Sequence, residues 1–304
     1  MSLPPDYLTY GKRRYGMDHD RYEWSMLPKR KPVSWPNGAR VALLIAPALE
    51  WFPLDMKGKP FNPPGGLTTA YPDFRHYTLR DYGNRVGIFR IMRELERRGV
   101  TATAFINGAV AARYPSLLRE CADRGWEIAA NGLDMDHLHH GGLDRAAEAE
   151  IVRRAVSGFA GRKLRGWLSP AKSESFATLD LVAEAGFDYV ADWTNDDMPY
   201  AMKTSAGTIH AMPISGDVDD YAILIQNHHT EDAFAQQVID QFDVLYAESG
   251  KSGGRIMTLA IRPWITGQPY RIGSFEKVLD HMLRHRGVWP ATAAQILDAW
   301  KAQQ

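Results

Sequence analysis

The 304-residue chain contains one cysteine, Cys121, so no disulfide can form within it. Long hydrophobic runs are absent, and nothing approaches the ~20 consecutive apolar residues that a bilayer-spanning helix requires. Net charge is absent too: 36 basic residues balance 36 acidic ones, which removes the electrostatic basis for a nucleic-acid or membrane-surface partner. The one basic run near the start, Lys12-Arg13-Arg14, is too short for a nucleic-acid-binding arm. The N-terminal stretch carries Asp6, Lys12 and Arg13 and lacks the apolar core of a secretory leader, so a cytoplasmic location is expected. No Ser-His-Asp or Cys-His nucleophile pattern is visible. Gly65-Gly66 and Gly253-Gly254 lack the strand–helix setting of a phosphate loop.

What remains is a chain with 45% apolar residues, enough for a large core. Residues 1–38 are rich in Tyr, Pro and Arg without periodicity and read as an arm over the domain or a neighbouring subunit; 39–304 read as a single domain. Val41–Pro47 is a continuous apolar run typical of a strand buried on both faces. A long Pro/Gly segment, 52–76, follows, and loops of that length are usually functional or mobile. Beyond it the chain alternates. Helices are expected at 81–98, 115–124, 143–159, 176–185, 233–247, 275–285 and 291–301, and strands at 101–106, 127–130, 164–168, 189–192, 208–213, 222–226 and 255–261, with a short one at 288–289. Seven or eight strand–helix units in one pass predict an α/β fold, an irregular parallel β/α barrel.

In such a barrel the chemistry sits at the C-terminal rim of the strands, which selects Glu50, Asn107, Asn131, Ser169, Asp192, Trp193 and Arg262 for comparison. The stretch Trp126–Gly141 is the densest. A short strand breaks at Asn131-Gly132, and the next residues crowd in Asp134, Asp136, His137, His139 and His140. His137 and His140 would share a face on a helix and could form a facial metal site with either aspartate; a solvated polar loop is the competing reading. Asn131 either orients a substrate carbonyl or makes the Asn-Gly turn. His76, in the long loop, is the best remaining candidate for acid–base work, whereas His210 reads as a core histidine and His228-His229 as surface. Trp51, Trp167, Trp193 and Trp264 fall near strand ends and could wall a pocket for a small planar heterocycle, or simply cap the barrel core. Asp192, with Asp196 and Asp197, could hold a substrate amine, though Asx-turns explain most such clusters. Lys172 and Glu174 form a salt bridge or a substrate clamp.

Several segments together resemble the polysaccharide deacetylase superfamily, and within it the small-substrate branch of metal-independent allantoinases and cyclic imide hydrolases. They are Asp81-Tyr82-Gly83-Asn84-Arg85-Val86-Gly87, Gly125-Trp126-Glu127-Ile128, Arg165-Gly166-Trp167-Leu168-Ser169-Pro170, Asp192-Trp193-Thr194-Asn195-Asp196-Asp197-Met198-Pro199-Tyr200 and Pro263-Trp264-Ile265-Thr266-Gly267-Gln268-Pro269, with Phe242-Asp243-Val244-Leu245-Tyr246 also fitting. The likeness spans roughly residues 35–300, and the order and spacing of the motifs carry it. The resemblance implies an irregular β/α barrel. In metal-dependent members it also implies a cation held by an aspartate after strand 1 and two histidines spaced i, i+4 after strand 3. Here those positions hold Glu50, Asn131 and Met135, a set unsuited to a hydrolytic zinc. The late histidine that donates a proton in relatives is matched by Arg262, which cannot release one at neutral pH.

The expected function is therefore metal-free, cofactor-free hydrolysis of a non-peptide C–N bond in a small, cyclic amide or ureide. Glu50, Asn131 and Arg262 are the catalytic candidates, and Trp51, Trp167, Trp193, Trp264, Asp192 and His76 the substrate contacts. The expected partner is a small-molecule substrate, with a homo-oligomer implied by the resemblance. Two alternatives stay open. One is a non-catalytic ligand-binding relative or silent partner subunit, marked by a closed Glu50–Arg262 ion pair with no room beside it. The other is a zinc-dependent glycan N-deacetylase.

Overall fold

Every residue of the first strand, β1 (Val41–Leu49), is buried, as its unbroken apolar sequence requires. The computed structural model describes residues 17–57 and 70–304. After β1 come α1 (Phe74–Tyr82), α2 (Ile88–Glu96), β2 (Thr103–Ile106), α3 (Gly108–Arg113), α4 (Pro115–Asp123), β3 (Glu127–Asn131), α5 (Arg145–Ser157), β4 (Gly166–Leu168), α6 (Thr178–Glu184) and β5 (Tyr189–Val190). The hairpin β6 (Tyr200–Thr204) and β7 (Gly207–Ala211) follows, then α7 (Glu231–Ser252), β8 (Arg255–Ile261), α8 (Pro263–Thr266), α9 (Ile272–Leu283), β9 (Val288–Pro290) and α10 (Ala293–Lys301).

The strands form one curled sheet in the order β6-β7-β5-β4-β3-β2-β1-β8, with β9 beside the start of β1. All pairings are parallel except β6 with β7. Among the described residues no ladder closes β8 onto β7; the Ser215 N–H donates to Thr258 Oγ1 (3.1 Å) across that gap. The barrel is thus an irregular one. Alternation along β1 sorts its side chains: Leu43, Ile45 and Leu49 pack outward against the helices, while Ala42, Leu44 and Ala46 face the interior. Phe105, Tyr189 and Ile256 share that interior, and Trp35, Ile296 and Leu297 from the arm and α10 also pack into it. Toward the strand C-termini the inward positions shrink to Ala46, Ala48 and Ala260, and a cavity opens there.

Three expectations about elements are corrected. Residues 222–226 do not form a strand. They lie in a wide helical turn, Tyr221–Gln226, started by the Asp219 carboxylate, which accepts from the Ala222 N–H at 2.6 Å. A short apolar run fixes burial but not period. The helix expected from Asp81 begins instead at Phe74, because Asp73 caps it by accepting from the N–H groups of Arg75 and His76. His76 therefore sits in a first helical turn rather than a loop. Helix Gly108–Arg113 and strand Tyr200–Thr204 were not expected at all.

Between α1 and α2 the helix loosens into a wide turn at Gly83–Gly87. A Cβ on Gly87 would lie 2.1 Å from the Pro263 carbonyl oxygen, and one on Gly83 2.6 Å from the Trp264 nitrogen. Only glycines let α8 come this close, and that contact fixes Arg262 and Trp264 at the rim. Of the arm, residues 17–38 are described and lie against the domain. Arg21 makes a bidentate pair with Asp180 (2.8 and 3.0 Å), and the Trp35 indole N–H donates to the Arg255 carbonyl. Residues 1–16, and 58–69 of the long loop, lie outside the described residues.

Candidate functional site

The open strand ends surround a cavity of about 390 Å³. Glu50, one residue beyond β1, reaches it with both carboxylate oxygens held: Oε1 lies 3.4 Å from Arg262 Nε, and Oε2 accepts from the Trp264 indole N–H (3.1 Å). Asn84 donates to the Glu50 carbonyl at 3.0 Å, tying the rim of β1 to the glycine-rich helical turn. Asn107, after β2, accepts from the Trp51 N–H (2.6 Å) and donates to the Asn131 backbone carbonyl, so it braces β1 against β3. Asn131, the last residue of β3, is 2% exposed and lines the cavity; its Oδ1 is buried with no hydrogen-bond partner. Gly132 follows at φ +53°, where a Cβ would meet Pro170 at 2.4 Å, so the sharp exit from β3 depends on it. Ala171 and Lys172, in the loop that supplies Pro170, hold left-handed φ values of 55° and 53°. Strain of that kind in non-glycine residues clusters at functional sites.

Charge is concentrated in this cavity. Arg262 Nη1 lies 3.3 Å from Asp219 and 3.1 Å from Asp220, and Asp220 also accepts from the Arg262 N–H (2.6 Å) and the Thr266 hydroxyl (2.7 Å). Burial works against the Arg262 charge, yet Asp219, Glu50 and Asp220 outweigh it and hold its pKa above the ordinary value. Burial lifts the Asp220 carboxyl to about 7 even with Arg262 opposing. Arg80, buried between the Phe52 ring (3.8 Å) and the Trp264 ring (4.0 Å), is lowered to about 10 by desolvation. Lys172 donates to the Ile214 carbonyl (2.8 Å), and burial lowers it to about 8 although Asp219 and Asp192 pull the other way.

Of the residues selected from sequence, Glu50, Asn131 and Arg262 meet at this cavity. Ser169, Lys172 and Met135 line it as well; the remaining candidates do not. Trp51 turns outward onto Tyr77 and Arg113. Trp167 is fully buried beside Phe187, its N–H given to Ser169. Trp193 donates to Glu174 and lines a separate cavity with His19 and Arg21. Trp264 stands behind Glu50. Asp192 accepts from the Ser169 N–H (2.6 Å) and hydroxyl (2.8 Å) and so holds a cavity residue from below. Burial raises the pKa of Glu174 and of Asp192, and the two side chains hydrogen-bond, so Glu174 pairs with Asp192 rather than with Lys172. His76 packs edge-on to Phe52 and Tyr71, and burial, with Arg80 beside it, lowers it to about 4. The cavity walls are instead Phe52, Leu138, Leu168 and Tyr221, and Arg80, Asp219 and Gln226 are polar residues that sequence reasoning missed.

The three-histidine stretch disperses. His137 pairs with Asp134 (2.7 Å), His139 is buried against Glu148 (2.9 Å), and His140 is exposed. The cation position implied by the resemblance holds a carboxylate already bound to Arg262 and Trp264, an amide oxygen and the thioether of Met135. With Arg80 and Arg262 adding positive charge, this donor set does not fit a hydrolytic divalent metal.

Residues 76–190 match the model of the family described as polysaccharide deacetylase. The chain is 25% identical to a probable polysaccharide deacetylase from Pseudomonas aeruginosa PAO1 of known structure, with a TM-score of 0.78 over 89% of this chain and 94% of that one. PuuE allantoinase superposes with a TM-score of 0.78 over 100% of this chain and 99% of its own at 22% identity, a likeness of fold. A Schizosaccharomyces pombe protein provisionally named a polysaccharide deacetylase is 26% identical over 245 residues, 73% of this chain and 75% of that protein. The chain thus carries a polysaccharide deacetylase domain and fits that superfamily, with an allantoinase among its structural relatives. Among the described residues no helix is long and apolar enough to cross a membrane.

Proposed function

We propose that the protein hydrolyses a non-peptide C–N bond of a small cyclic amide or ureide without a bound metal. The observation that carries this reading is the convergence of Glu50, Arg262 and the unpartnered Asn131 Oδ1 on one cavity of about 390 Å³, a size suited to a small heterocycle. A buried acceptor without a donor is costly and is answered by a ligand N–H, which amides and ureides place beside their carbonyl. Asn131 then fixes the ring through its N–H rather than through its carbonyl oxygen. Glu50, with its two oxygens held, orients and deprotonates the attacking water. The guanidinium of Arg262 faces the charge that develops on the carbonyl oxygen, an electrostatic role that requires no metal. Arginine cannot supply the proton for the leaving nitrogen. Lys172, lowered to about 8, is the cavity group poised to do so near neutral pH.

The non-catalytic alternative has one observation in its favour, the Glu50–Arg262 contact; the cavity beside that pair is the observation against it. The test is incubation of chelator-treated protein with a panel of cyclic amides, imides and ureides, with mass spectrometry of the products. Turnover in chelator, abolished by Glu50→Gln with the melting profile unchanged, is expected. Binding without turnover across the panel, or turnover only after zinc is restored, would overturn the reading.

A further inference from the structure

A second constellation lies on the outer helices. His281 and His285 stand one turn apart on α9 and its C-terminal end, facing Asp243 of α7, and one donor atom from each of the three lies within 4.8 Å of the other two. We infer that Asp243, His281 and His285 form a binding site for a divalent transition-metal ion, of the zinc or nickel kind, that clamps α7 to α9.

The donors are oriented by their surroundings. His285 Nδ1 is 2.9 Å from the His281 carbonyl oxygen, which can only accept, so Nδ1 carries the proton and Nε2 presents a lone pair. A ligand histidine ordinarily has its other nitrogen fixed in this way. His281 Nε2 faces Asp243 Oδ1 at 2.7 Å. Four aromatic rings hold the geometry: the two imidazoles lie 5.0 Å apart, and Phe242 and Tyr246 pack on His285 at 5.1 and 4.9 Å. Two imidazoles and a carboxylate suit zinc or nickel, with water completing the shell. Tetrahedral zinc with bonds near ~2.0 Å separates its ligand atoms by roughly 3.3 Å, so the His281–Asp243 contact opens by about half an ångström and His285 closes. The Asp243 side chain is half exposed and free to make that adjustment. Arg284, whose guanidinium touches His281 Nδ1, is exposed and can withdraw.

The site is remote from the rim cavity. His285 packs on Tyr246, whose ring carries the Arg40 guanidinium at 3.8 Å, and Arg40 precedes the first residue of β1. Glu50 lies at the other end of that strand. The ion is therefore structural, and its binding is independent of whether the rim cavity is catalytic.

The experiment is calorimetric titration of tag-free, chelator-treated protein with zinc chloride, and separately with nickel, alongside thermal melts. One equivalent of saturable binding and a raised Tm are expected, with affinity reduced roughly tenfold or more in His281→Gln and in His285→Gln. Asp243→Asn serves as a third variant, and urea melts in chelator verify that all three fold as the parent does. No saturable binding, or equal affinity in parent and histidine variants, would overturn the inference by placing any bound metal elsewhere. X-ray absorption of the zinc-loaded protein distinguishes two imidazoles and oxygen ligands from an adventitious shell of water alone, and the latter result also overturns it.

Discussion

Asp220 makes the stability of this protein depend on pH in a direction opposite to that of most carboxylates. Its side chain is fully buried beneath Arg262 and accepts from two N–H groups of that residue and from the Thr266 hydroxyl. Burial raises it from 3.8 to about 7. The folded protein therefore retains a proton that the unfolded chain releases at lower pH, and stability is lost as pH rises between these two values, levelling off above the folded pKa. Treated as a single site, that shift costs roughly 2–3 kcal/mol of stability between pH 5 and pH 8. Other groups titrate in the same window, and His76 works in the contrary sense: its lowered pKa removes stability as the solution is acidified below pH 6.5 toward 4. The measurement is therefore a difference. Urea unfolding of the parent and of Asp220→Asn at pH 5 and pH 8 should show the parent losing roughly 2–3 kcal/mol relative to the variant as pH rises, whatever fixed cost the amide imposes on the Arg262 contacts. Parallel pH profiles for the two proteins would refute a protonated Asp220 in the native state.

Two further perturbations test the construction of the rim. Gly132→Ala combines a left-handed backbone with a Cβ 2.4 Å from Pro170, and should lower stability by roughly 2–4 kcal/mol in denaturant melts; a near-neutral result would mean that the β3 exit is not held as described. Lys172→Met should lower kcat/KM by about a hundredfold or more and remove an alkaline limb near pH 8 from the rate profile. A parent profile flat to pH 9.5 would exclude Lys172 as the proton donor.

The sheet was legible because parallel strands buried on both faces spell themselves as apolar runs, unbroken in β1 and interrupted in β8 only by Thr258 after its first residue, Arg255. The same rule misread residues 222–226. Ala222, Ile223, Leu224 and Ile225 are all buried, but by a helical turn whose start is set by Asp219, a single cap that periodicity does not register. The hairpin strand Tyr200–Thr204 escaped for the converse reason. Lying at the sheet edge, it is only partly buried and carries Lys203 and Thr204 among its five residues.

At the site, the residues found from sequence are those that end a strand or follow it directly. Glu50, Asn131 and Arg262 share one rim because strand ends in a parallel sheet do. The aromatic candidates were chosen by the same proximity and went elsewhere, because successive residues at a strand end point to opposite sides: Glu50 enters the cavity and Trp51 leaves it for Tyr77. Arg80 and Asp219 were invisible to that rule. Arg80 comes from the body of α1 and reaches the cavity between Phe52 and Trp264, and Asp219 and Asp220 come from the residues just before the turn misread as a strand. Their meaning is electrostatic and depends on Arg262. A buried guanidinium near one carboxylate could be a simple plug, but three carboxylates around it leave Glu50 sharing its partner with Asp219 and Asp220. That division is what allows Glu50 to take up a proton without stranding Arg262 uncompensated, because the Asp219 carboxylate remains in contact with it.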